Sequence, residues 1–201
     1  MIVIIDYGVG NLRSVSKALE KLGFQTMITN DLRKIKNSEA MILPGVGAFK
    51  DAMEQLKKYN LVDAIKEYAY SKKPILGICL GMQILFDKSW EDGQWKGLGV
   101  LKGEIIPFDN RLKIPHMGWN QLIPGRLDRI GEGLEKDPYV YFVHSYYLKP
   151  KDPKDVVFWT EYGTKVPAVV RKDNIIGMQF HPEKSGKTGM KLLENFGRMI
   201  R

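Results

Sequence analysis

PILGICLGMQ, residues 74–83, places the only cysteine of the chain, Cys79, between Gly77 and Gly81 at the end of an apolar run. PILGIC (74–79) reads as a short buried strand, and LGMQILFD (80–87) as a helix leaving it. Strand, Gly-x-nucleophile-x-Gly turn and helix together make the pattern of a nucleophile elbow. The turn is tight, and a side chain at either glycine would collide with the strand or helix beside it. Such a turn lifts the thiol above the C-terminal edge of a sheet, where open α/β sheets bind ligands. The following helix aims its positive end at the sulfur, which favours the thiolate. The same short motif also fits a buried structural cysteine, because unpaired cysteines are often buried.

Outward from the elbow, strands and helices alternate. IVIID (2–6) is a β-branched run that stops at the glycine-rich DYGVGN. Leu12, Val15, Leu19 and Leu22 then recur at helical spacing, and Gly23 closes that helix. FQTMIT (24–29) and AMILP (40–44) read as the second and third strands, with GVGAF as a turn after the third. Residues 48–70 read as helix, broken near Asn60. This order predicts an α/β fold: a mostly parallel central sheet with helices on both faces, three layers in all. From Gly97 the segments 97–108, 120–123, 139–148, 155–162, 167–172 and 174–181 are strand-like and separated by turns. They are expected to form antiparallel additions and to extend the sheet. GKTGMKLLENFGRMI (186–200) closes the chain as an amphipathic helix with Met190, Leu193 and Phe196 or Ile200 inward. No repeat or linker interrupts the 201 residues, so a single domain, 1–201, is expected.

Composition narrows the function classes. One cysteine cannot form an internal disulfide, which fits a reducing cytoplasm rather than a stapled secreted scaffold. The N-terminal apolar run is too short for a signal peptide or a membrane span, so no membrane attachment is expected. The net charge of +8 raises nucleic acid as a partner. The lysines, however, are dispersed beside acids on helical faces, with no basic block and no stacking motif, which favours a solvated surface or a rim for an acidic partner. No His/Cys cluster has zinc spacing, so no metal is expected. GVGNLR (8–13) has Arg13 where a dinucleotide loop needs its third glycine, so no cofactor is expected there.

A thiolate that attacks a carbonyl needs a base. Of three histidines, His181 in GMQFHPEK ends the last strand, and Glu183 follows two positions later. Alternate residues of an extended segment project the same way, so Glu183 can stand behind the imidazole and orient it. Taken alone, HPE also fits a surface turn. A tetrahedral intermediate needs backbone donors, and PGVGAF (44–49) supplies glycines after a strand expected beside the elbow; it also fits a plain tight turn.

GICLGMQ and QFHPEK together resemble the triad-type (class I) glutamine amidotransferases, over nearly the whole chain. Within that family, PGVGAF, PHMGWN (115–120), YFVHSYY (141–147) and the DYGVGNL start resemble the glutaminase subunits that serve imidazole glycerol phosphate synthesis. The resemblance implies Cys79 as nucleophile, His181 as acid and base, and Glu183 behind it. It implies oxyanion donors at Val46, Gly47 and Leu80. Substrate contacts fall on Gly45, Gln83, Glu91, Ser145 and Tyr146. It implies a glutamine substrate and a heterodimer with a (β/α)8-barrel cyclase. Asn11, His116, Met117, Trp119, Tyr141 and Lys184 would face that partner. His144 is expected to be structural. Trp90 and Trp95 flank Glu91 where the family pattern carries smaller or acidic residues. Three other readings stay open: a glutaminase subunit for anthranilate or pyridoxal phosphate synthesis, an inert binding module on the same fold, and a cysteine peptidase.

Overall fold

The computed structural model describes residues 1–200. The first half alternates as expected: β1 (Ile2–Ile5), α1 (Leu12–Lys21), β2 (Thr26–Thr29), α2 (Leu32–Asn37), β3 (Ala40–Gly45), α3 (Phe49–Lys58), α4 (Leu61–Tyr70), β4 (Ile75–Cys79) and α5 (Leu80–Gln83). Asn60, in the left-handed region at φ 56°, separates α3 from α4. α2 was not legible as an apolar stripe; its start is fixed by the Asp31 carboxylate, which accepts from the N–H groups of Arg33 and Lys34. The helix expected over 80–87 is only one turn. The carbonyls of Ile84, Leu85 and Phe86 accept from Leu98, Leu101 and Gly99 of the returning chain, and so cannot continue a helix.

The second half is β-rich: β5 (Lys88–Ser89), β6 (Trp95–Lys96), β7 (Gly103–Pro107), β8 (His116–Gln121), β9 (Ile123–Pro124), β10 (Tyr139–His144), β11 (Tyr146–Pro150), β12 (Val156–Glu161), β13 (Lys165–Lys172) and β14 (Ile175–Met178), followed by α6 (Gly186–Gly197). The main sheet runs β2-β1-β3-β4-β14-β13-β12-β9. Its first five strands are mutually parallel, and β13, β12 and β9 continue it antiparallel. β11, β7, β5 and β6 form a second sheet, and β8 and β10 a two-stranded ribbon. The apolar run 139–148 is therefore two strands in two sheets, divided at Ser145.

Alternation along the parallel strands separates two cores. Val3, Ile5, Met41 and Leu43 pack with Ile35 of α2, Phe49 and Leu56 of α3, and Leu61 and Ile65 of α4. Ile2, Ile4, Ala40 and Ile42 pack on the other face with Val15 and Leu19 of α1 and Leu192, Leu193 and Phe196 of α6. Strands buried on both faces read as unbroken apolar runs, as IVII and AMIL do. In α6, Leu192 joins Leu193 and Phe196 in the core, while Met190 is only half-buried.

The register places the elbow. β4 lies between β3 and β14, with Gly45 level with Cys79 on one side and Met178 level with Ile78 on the other. The segments following β3, β4 and β14 therefore emerge together at one edge of the sheet.

Candidate active site

Cys79 ends β4 with φ 54° and ψ −115°, a conformation that costs a non-glycine residue about 1–3 kcal/mol. The strain survives because the surroundings allow nothing else: a Cβ on Gly81 would lie 1.7 Å from the Leu43 carbonyl oxygen. The elbow thus requires glycine at 81, where the helix turn crosses directly over β3.

Cys79, 7% exposed, lines a cleft of about 400 Å³ with Val46, Gly47, Leu80, Gln83, Glu91, Ser145, Tyr146, His181 and Lys184. A groove of about 870 Å³ lies at the opposite edge of the sheet, around Ser38, Lys73 and Asn174. Two of its polar side chains tie the surrounding loops together: Lys73 Nζ donates to the carbonyls of Lys36 and Ser38, and Asn174 Nδ2 to those of Ala69 and Lys73. It holds no nucleophile beside a base.

His181 follows β14 and Glu183 stands behind it, with Nδ1 and Oε1 3.0 Å apart. The route differs from the expected extended segment. Pro182–Lys184 is a single 3₁₀ turn, and that turn brings the carboxylate back onto the ring. Burial by itself lowers the pKa of His181, but hydrogen bonding and charge from Cys79 and Glu183 outweigh it and raise the value to about 9. The imidazole therefore holds its proton at neutral pH.

The N–H groups of Val46, Gly47 and Leu80 have no intramolecular acceptor among the described residues. Gly47 sits at φ 96° and Val46 is exposed. Gly45 is buried at the end of β3, level with Cys79, and is not among the residues lining the cleft.

Gln83 is held by its amide nitrogen, which donates to the Tyr146 carbonyl and to Gln179 Oε1, both at 3.0 Å. Both amide hydrogens are committed, so its own carbonyl oxygen remains as an acceptor in the cleft. Sequence reading missed Gln179, although it lies in the quoted QFHPEK; no local pattern marks a buried glutamine as a tether. The carbonyls of Ser145 and Tyr146 are occupied by Phe108 N–H, and by Gln83 and His144, respectively. Glu91 Oε2 accepts from Phe49 N–H at 2.7 Å. Burial raises the Glu91 pKa, that bond opposes the rise, and the charges of Asp92 and Asp51 add to it. The two tryptophans around Glu91 build its loop: Trp95 Nε1 donates to the Glu91 carbonyl, and Trp90 Nε1 to Glu104.

The β8–β10 ribbon alternates sharply. Met117 and Trp119 point outward and are 62% and 57% exposed, with Tyr141 edge-on to Trp119. His116, expected at a partner surface, is on the inner side and buried, because strand alternation puts it opposite to Met117. Its Nδ1 meets His144 Nε2 at 3.0 Å, and His144 Nδ1 meets the Tyr146 carbonyl at 2.9 Å. A carbonyl only accepts, so His144 carries its proton on Nδ1 and His116 donates to it. Burial lowers both pKa values, His116 to about 4 and His144 to about 3. Asn11 is half-buried beside α1, and Lys184 is exposed at the rim of the cleft.

No group of His, Cys, Asp and Glu among the described residues is arranged to hold a metal, and no helix among them is long and apolar enough to cross a membrane.

Residues 3–200 match the family model described as glutamine amidotransferase class-I. The chain is 52% identical to the imidazole glycerol phosphate synthase subunit HisH of Caldanaerobacter subterraneus subsp. tengcongensis, covering 100% of this chain and 99% of that one. It is also 52% identical to the protein of the same name from Aquifex aeolicus, over 98% of this chain and 95% of that one. Among solved structures, PurLQS from Thermotoga maritima superposes with a TM-score of 0.79 at 23% identity, covering 100% of this chain and 98% of that one. A structure titled glutamine amidotransferase gives 0.75 at 19% identity, over 98% and 100%. An elbow thiol facing a histidine from the next parallel strand, on a fold shared end to end with these proteins, makes this chain a member of the class-I glutamine amidotransferase family.

Proposed function

We propose that the chain is the glutaminase subunit of an imidazole glycerol phosphate synthase, acting in histidine biosynthesis in the cytoplasm. The observation that carries the chemistry is the strained Cys79 opening into the same cleft as the His181–Glu183 pair.

In this reading, the proton of the Cys79 thiol already resides on His181, and the sulfur attacks the side-chain amide carbon of glutamine as a thiolate beside the imidazolium. The N–H groups of Val46, Gly47 and Leu80 receive the developing oxyanion. His181 then passes its proton to the departing nitrogen, ammonia leaves, and a γ-glutamyl thioester remains. Water, deprotonated by His181, attacks the thioester carbon; the carbon–sulfur bond breaks and glutamate is released. Glu183 holds the ring and stabilises its positive form throughout. The carbonyl oxygen of Gln83 and the second carboxylate oxygen of Glu91 accept from the substrate ammonium.

Ammonia that reaches bulk water becomes ammonium, which is not a nucleophile. The exposed apolar side chains Val46, Met117, Trp119 and Tyr139 support a docked synthase subunit beside the cleft. We assign that partner as a barrel cyclase, in a heterodimer, with Lys184, Tyr141 and Asn11 at or near the contact.

The test is synthesis by the two-subunit complex with either nitrogen source. Cys79→Ala is expected to abolish the glutamine-dependent reaction and leave the ammonia-dependent one at wild-type rate. Equal loss of both would remove the thiol from the chemistry.

A further inference from the structure

The Gln83 amide is locked in one of its two orientations. Its Nε2 donates to the Tyr146 carbonyl and to Gln179 Oε1, each at 3.0 Å. A carbonyl can only accept, so a reversed amide would set oxygen against oxygen at Tyr146. In the orientation present, Gln83 Oε1 bonds to no other group among the described residues, and it is not sealed from solvent. It opens into the cleft that Gln83 lines.

Gln179 is fully buried, and its Nε2 has no acceptor among the described residues. Turning its amide over would only bring two NH2 groups together at Gln83. The fold thus tolerates a costly unsatisfied donor while Gln83 keeps its acceptor.

On the other side, the Tyr146 carbonyl also accepts from His144 Nδ1 at 2.9 Å. That donor is fixed through a longer chain. Asn120 Nδ2 donates to the Glu161 carbonyl at 2.8 Å and faces His116 Nε2 at 3.3 Å. His116 Nδ1 in turn faces His144 Nε2 at 3.0 Å. A backbone carbonyl stands at each end, so every bond between them runs one way: Asn120 to His116, His116 to His144, His144 to Tyr146. Each imidazole then carries one proton and one lone pair. The His116 ring is held in place by stacking on Phe142 and Tyr162, with centroids at 4.7 and 4.1 Å.

We propose that Gln179 and the His116–His144 pair are positioning residues that keep the Gln83 amide oxygen turned into the cleft, making an acceptor-only subsite that selects a substrate with a protonated α-amino group. Gln179 acts on the amide directly, and the histidines act through the Tyr146 carbonyl. An amide that turned over would meet the substrate ammonium donor to donor. The contact lies away from the reacting carbon and is made equally before and during the reaction, so its loss belongs in KM. This inference rests on the glutaminase reading above.

The experiment measures ammonia release by the full-length chain in complex with its synthase subunit. The two substrates are L-glutamine and glutaric acid monoamide, which has the same amide and carboxylate but no amino group. Gln179→Met removes the acceptor at similar volume. It is expected to raise KM for L-glutamine about tenfold with kcat within about threefold, and to leave kcat/KM for the monoamide within about twofold of wild type. The preference for L-glutamine therefore falls about tenfold. His144→Leu removes the donor behind Tyr146, and the preference should fall about threefold. Gln179→Glu keeps an acceptor oxygen and should restore most of the preference lost in Gln179→Met. Both substrates are read on one preparation, so a partly folded variant does not shift the ratio. An unchanged preference in Gln179→Met or His144→Leu, an equal loss on both substrates, or a Gln179→Glu no better than Gln179→Met would each overturn the proposal. Cys79→Ala runs beside them: if it still releases ammonia from L-glutamine, the glutaminase reading itself fails, whatever the Gln179 variants do.

Discussion

The main-chain N–H of His181 donates to the carbonyl of Tyr141 at 3.2 Å. Ser185 closes the link: its Oγ accepts from Tyr141 N–H at 3.0 Å and donates to the His181 carbonyl at 2.6 Å. The strand that displays Tyr141 toward the outer face therefore carries the backbone of the imidazole. The same strand places the Val143 carbonyl 3.9 Å from Cys79 Sγ.

Ser185→Ala tests this link. It leaves the Tyr141 N–H without its acceptor in a site that is 1% exposed. Loss of one buried partner costs about 1–3 kcal/mol. The expected outcome is a lower denaturant midpoint and a kcat for glutamate release reduced several-fold, with His181 free to drift from the thiol. A variant with full kcat would show that the ribbon does not hold the imidazole.

Two glycines of the site should respond very differently to alanine. Gly81→Ala places a methyl 1.7 Å from the Leu43 carbonyl, where backbone must move, so the expected result is loss of folded protein. Gly47 has open space around it and only its φ of 96° to lose, a strain of about 1–2 kcal/mol. Gly47→Ala should therefore fold and melt only slightly lower, with its defect in glutamine turnover. Comparable melting curves for the two would contradict the crossing of α5 over β3.

Stability should follow a dome in pH. The folded pKa of His181, about 9, exceeds its unfolded value near 6.5, so its contribution is complete below about 6.5 and is lost as pH rises through about 9. His116 and His144 are depressed to about 4 and about 3. For them the unfolded chain takes up protons first, so stability falls as pH drops below about 6.5 toward those values. Urea midpoints measured from pH 4 to 10 should peak near 6.5. His181→Gln should flatten only the alkaline limb and His144→Gln part of the acid limb; unchanged limbs would refute the assignment.

The outer face of the ribbon predicts a separation of roles. Trp119→Glu changes a side chain that is 57% exposed, so the melting temperature of the isolated chain should stay within about 2 °C. Binding of the synthase subunit, read by titration calorimetry, should weaken at least tenfold. Undiminished binding would move the interface elsewhere.

Some of this molecule is written in local chemistry. IVII, AMIL and ILGIC are apolar without interruption because both faces of a parallel sheet are covered, and that pattern survives in one dimension. The elbow was legible too, since a nucleophile flanked by glycines requires small residues wherever a helix crosses a strand. Long-range register is not local. That β14 lies beside β4, bringing residue 181 to residue 79, depends on which strands pair. That His116 turns inward while Met117 turns outward depends on which face of the ribbon meets the core. Gln179 and Ser185 carry no signature of their own, because each acts through a hydrogen bond to a group 4 to 96 residues away. Such bonds exist only once the chain has closed around them.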